Sequence, residues 1–92
     1  MGGRHLFERT LERTEPHILD LVSGYALDIL IERKPMDVGS GELMAAVKRK
    51  IPEGERDNVK DTDILHGLQY LVQNQFAERT DLGGTISYRL TL

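Results

Sequence analysis

From residue 61 to residue 92 the chain reads as one amphipathic helix running directly into a β-hairpin, and this order constrains the fold most. Ile64, Leu65, Leu68, Leu71 and Val72 recur at helical spacing over 61–75, and Asp61 or Thr62 suits the N-cap. Residues 76–80 and 85–90 then alternate with a period of two around Asp81, Leu82, Gly83 and Gly84. A two-residue turn at Gly83 and Gly84 sets Leu82 opposite Thr85, Thr80 opposite Ser87 and Glu78 opposite Arg89. Ala77, Ile86, Tyr88 and Leu90 then share one face and should pack on helices.

Two further helical patterns precede this unit. The first is expected over 15–33, with Thr14 as N-cap, Pro16 in the first turn and Pro35 ending it at Lys34. Ile18, Val22, Tyr25, Ala26, Ile29 and Leu30 lie on one broad arc of that helix, while Leu27 and Ile31 fall opposite, so it should be covered from two directions. Met36, Asp37 and Val38 can supply a short strand. Ser40 then suits the N-cap of a second helix whose inward stripe is Leu43, Met44, Val47 and Ile51. Residues 51–60, with Pro52 and Gly54, separate it from the third helix. Residues 4–13 carry Leu6, Phe7 and Leu11 among Arg and Glu, as a short amphipathic helix or a charged arm would.

These elements make residues 1–14 an arm or extension helix and residues 15–92 one domain, expected to be α+β and mainly α. With 92 residues, two Phe, three Tyr and no Trp, the core must be aliphatic. The absence of cysteine excludes disulfides and thiolate chemistry and points to a cytoplasmic protein. No apolar run approaches the roughly 20 residues that span a bilayer, and no secretory h-region opens the chain. Net charge is −3, against the basic balance of most small nucleic-acid binders. The charge is uneven. Lys48, Arg49 and Lys50 form a basic cluster, whereas Glu53, Glu55, Asp57, Asp61 and Asp63 dominate the stretch after it.

Helix, short strand, helix, helix and hairpin together resemble the winged-helix superfamily over residues 15–92. The resemblance implies that 61–75 takes the place of the recognition helix and 80–86 that of the wing. It further implies double-stranded DNA as a partner, with Lys48, Arg49, Lys50 and Lys60 on phosphates, Gln69, Tyr70, Gln73 and Asn74 toward the groove, His66 within reach of phosphates and Arg79 on a minor groove or the backbone. A small transcriptional regulator is the first expectation. The alternative is a protein-interaction module in a larger assembly with no DNA contact. Three features weigh toward the alternative. The expected solvent face of the third helix (Asp63, His66, Gly67, Tyr70, Gln73 and Asn74, with Gln69 at its margin) has no Lys or Arg, although phosphate neutralisation supplies most nonspecific affinity. The wing tip carries no base. The separation of the second and third helices also exceeds the about three or four residues of a simple helix-turn-helix.

Leu6, Phe7, Leu11, Leu27 and Ile31 are the expected association residues, pairing either within one chain or across a homodimer axis. Gly67, costly in mid-helix, suggests a close approach by Tyr25 or a partner. His5, His17 and His66 are too dispersed for a metal site, and no Ser has a paired His and Asp. No catalysis, cofactor, metal or small-molecule ligand is therefore expected.

Overall fold

A computed structural model describes residues 14–91. Helix α1 spans Pro16–Arg33, strand β1 Val38–Gly39 and helix α2 Ser40–Lys50. A 3-10 helix follows at Glu53–Asn58, then helix α3 at Asp61–Gln73, and strands β2 and β3 at Ala77–Leu82 and Thr85–Leu90. The strands form one antiparallel sheet in the order β1-β3-β2. This is an α+β, mainly α chain with the layout of a winged helix. The N-terminal extension expected before residue 14, with Leu6, Phe7 and Leu11, lies outside the described residues.

The hairpin forms as its sequence dictates. Gly83 and Gly84 both take positive φ, 59° and 87°, which a two-residue hairpin turn of matching twist requires and which side chains resist. The register is then fixed: Leu82 faces Thr85, Thr80 faces Ser87 and Glu78 faces Arg89. Val38 pairs with Tyr88 and Gly39 with Ser87, so the short strand expected near residues 36–38 becomes the other edge of the sheet. Ala77 and Tyr88 are buried on the helix side, and Ile86 and Leu90 are half-buried there.

Apart from the 3-10 helix, the described elements share one aliphatic core. Ile18, Val22, Ala26, Ile29 and Leu30 of α1 meet Leu43, Ala46 and Val47 of α2, Ile64, Leu68 and Leu71 of α3, and Val38, Ile51, Ala77 and Tyr88. Tyr25, Leu27, Met44 and Val72 are only partly buried against it. The crossing of α1 and α3 is close. A Cβ on Gly67 would stand 2.6 Å from Val22 Cγ2 and 3.2 Å from the Ser23 backbone nitrogen. Gly67 is therefore buried, not solvent-facing as its helical position suggested, and what approaches it is Val22 and Ser23, not Tyr25. Because α1 crosses there, the buried arc of α3 centres on Ile64, Gly67, Leu68 and Leu71. Leu65, which shares the helical spacing of these residues, is rotated to the margin and is 42% exposed. Ser23 is buried without strain on polarity, because its hydroxyl donates to the Leu19 carbonyl at 2.6 Å, one turn back.

The helix starts differ from their sequence signatures. Gly39, extended by its pairing in β1, holds the cap position of α2, so Ser40 is the first helical residue and caps nothing. Lys60 holds that position in α3, and Asp61 and Thr62 lie inside the helix. The bonding is reversed: the Asp63 carboxylate Oδ2 accepts from the Lys60 backbone N–H at 2.8 Å. Glu15 stands before α1 without a side-chain cap, and Thr14 turns away toward α3. Helix α3 stops at Gln73, short of the expected 75. The Phe76 N–H donates to the Leu71 carbonyl at 2.8 Å and the Gln75 N–H to Val72 at 3.0 Å, with Gln75 left-handed at φ 65°. Such a Schellman closure ends a helix.

Candidate functional site

The expected contact residues lie on the outer face of α3, the hairpin beside it and the C-terminal turn of α2. The basic cluster on α2 divides. Lys48 Nζ lies 2.6 Å from Asp61 Oδ1, and Lys50 Nζ lies 3.6 Å from Glu32 Oε2. Arg49 is exposed and makes no ion pair among the described residues. Nearby, Arg33 bonds Glu42 at 2.6 Å. Lys60 sits at the start of α3 with its side chain exposed. Thus Lys48 and Lys50 each already face a carboxylate, set by residues distant in sequence.

On α3 the expected contact residues do not share one role. Gln69, Tyr70 and Gln73 are exposed. Asn74 is exposed too, but its Nδ2 donates to the Tyr70 carbonyl at 2.8 Å and so serves the helix end. His66 faces back toward α1 and is half-buried, with Nδ1 2.7 Å from Thr14 Oγ1. The Thr14 hydroxyl donates to Asp63 Oδ1 at 2.8 Å. A hydroxyl has one proton to give, so the imidazole Nδ1–H must be the donor in its bond with Thr14. Through Thr14, His66 and Asp63 therefore tie the start of α1 to α3.

The hairpin contributes two arginines. Arg89 Nε donates to Glu78 Oε1 at 3.1 Å, the cross-strand pair expected from the register. Arg79 lies 3.9 Å from Asp81, two residues along the same strand. Between α3 and the hairpin runs a shallow groove lined by Leu65, Gln69, Val72, Arg79 and Tyr88. Its floor is apolar. Beyond it Leu82 at the wing tip is 73% exposed.

The expected association residues separate as well. Leu27 is half-buried against the core, whereas Ile31 is 53% exposed. Phe76 and Leu82 are exposed apolar groups that sequence patterning did not single out, and Leu65 is exposed with them although it shares the helical spacing of the core residues. The available signals were the apolar tip beside Gly83 and a Phe at the junction of helix and strand. Among the described residues, no group of His, Asp and Glu is arranged to hold a metal ion, and no helix is long and apolar enough to cross a membrane. Comparison with protein-family models and with curated proteins finds no match to this chain.

Proposed function

We propose that this chain is a winged-helix module of the protein-interaction kind, binding without catalysis and presenting α3 and its hairpin to another protein. The observation that carries the reading is the groove between them. Leu65, Val72 and Tyr88 give it an apolar floor, and its single cation, Arg79, has Asp81 beside it. Such a surface suits an amphipathic protein partner better than a polyanion, which requires several unengaged cations. Lys48 and Lys50, the residues best placed by sequence to meet phosphates, face Asp61 and Glu32 instead. A net charge of −3 adds long-range repulsion of a duplex. A cysteine-free chain suits work in the cytoplasm.

A second reading, double-stranded DNA binding in a small transcriptional regulator, is favoured by one observation. Arg49 is exposed at the end of α2 without an ion pair among the described residues, and Gln69, Tyr70 and Gln73 are exposed on α3. Anisotropy titration with a nonspecific duplex at low and high salt separates the two. The interaction reading expects no saturable binding at either salt. Binding that weakens as salt rises, and that is lost when Lys48, Arg49 and Lys50 are changed together to Gln, would overturn it in favour of DNA.

A further inference from the structure

Strand β2 is the longer of the two edge strands and is open among the described residues, and the hairpin register decides what that edge presents. The Thr91 N–H donates to the Phe76 carbonyl at 3.0 Å, so residues 76 and 91 form a hydrogen-bonded pair. Bonded pairs alternate along an antiparallel ladder. Glu78, Thr80 and Leu82 therefore turn their backbone groups to β3. The N–H and C=O groups of Ala77, Arg79 and Asp81 face the open side. Their side chains lie on the helix-packed face of the sheet, where an open groove bordered by Val72, Gln75, Ala77 and Arg79 runs beside the edge.

We propose that this edge is a homotypic interface: β2 pairs antiparallel with β2 of a second copy, in a two-fold register centred on Thr80. Symmetry and side-chain charge select that register. A two-fold antiparallel pairing must match open residues with open residues, so its centre falls on a single residue of the strand. Centring on Arg79 sets Arg79 against Arg79, centring on Asp81 sets Asp81 against Asp81, and centring on Glu78 sets two glutamates together. Like charges directly opposed on adjacent strands are destabilising. Centred on Thr80, each Arg79 instead faces Asp81 of the other copy, twice over, in hydrogen-bonded pairs. The Arg79–Asp81 contact now made along one strand at 3.9 Å becomes a contact between chains. The two Thr80 side chains meet on the outer face. Both sheets merge into one, and the otherwise open backbone groups of Arg79 and Asp81 are satisfied. An isologous contact of this kind closes at two copies and does not propagate.

The inference goes beyond the proposed function, since it rests on the β2 backbone and two charges and not on what fills the groove. Sedimentation velocity of the full chain across a concentration series tests it, with circular dichroism confirming that each variant is folded. The parent chain should shift from monomer to dimer mass as concentration rises. Arg79→Asp and Asp81→Arg should each abolish the dimer, because each sets like charges against one another. Combining the two substitutions should restore it. A parent chain that stays monomeric, or a dimer indifferent to the single substitutions, overturns the inference. Duplex binding in the separate titration would overturn the proposed function and leave this pairing standing.

Discussion

Gly67 sits where two opposing effects of one methyl group can be compared. In an open helix interior, Gly to Ala gains about 1 kcal/mol through propensity alone. Here the added Cβ would meet Val22 Cγ2 at 2.6 Å and, behind it, the Ser23 backbone nitrogen at 3.2 Å. Val22 can shift its side chain only into a filled core, and a helix backbone cannot shift locally. Overpacking of this sort costs about 1–3 kcal/mol, so the clash should win. Urea unfolding is expected to show Gly67→Ala as less stable than the parent. A variant of equal or greater stability would mean the helices do not cross there. Gln75 makes the opposite case. It holds φ 65° with a full side chain, a conformation that glycine adopts freely. Gln75→Gly should raise the urea midpoint with its slope unchanged, by a few tenths to about 1 kcal/mol. A lower midpoint would show that the left-handed turn after α3 is absent.

Elements were legible in proportion to how locally they are determined. The hairpin is set by Gly83 and Gly84 and by a period of two, so its register could be read from adjacent residues. The body of α1 and the core stripe of α2 were likewise written in their own spacing. What escaped was whatever a distant segment decides. Gly39, not Ser40, precedes α2 because β1 pairs with a strand nearly fifty residues later, at Ser87. Leu65 recurs at helical spacing with its apolar neighbours, but the crossing at Gly67 rotates the buried arc away from it. The basic cluster of residues 48–50 was visible, whereas its engagement by Asp61 and Glu32 depends on packing between helices. Thr14 shows the same limit: a plausible cap by type, it spends its hydroxyl on Asp63 and His66 instead. Replacing it by Val keeps the shape and deletes both bonds between the start of α1 and α3. A loss of about 1 kcal/mol is expected, since these groups are only partly buried and water can replace the hydroxyl in part. Full stability in Thr14→Val would detach Thr14 from α3.

Across the whole molecule, one core cluster includes residues from all three α-helices described and from the sheet, with no second centre among the described residues. A two-stranded hairpin is marginal in water by itself, and short helices are marginal without packing. The hairpin and the helices must therefore hold each other, with Tyr88 of β3 buried in the same cluster as Leu68 of α3. Cooperative, two-state unfolding follows. Tyr25→Phe combined with Tyr70→Phe leaves Tyr88 as the only tyrosine in the chain, a reporter on the sheet. Far-UV circular dichroism reports the helices. The two signals should trace one transition with one midpoint. Leu68→Ala empties a position that is 1% exposed and should cost about 2–5 kcal/mol. Against a total of about 5–15 kcal/mol for a native domain, that is a large share. It should move both signals together even though Leu68 does not lie in the sheet. A sheet signal that melts before the helices, or that ignores Leu68→Ala, would mean the hairpin is an appendage and not part of one cooperative fold.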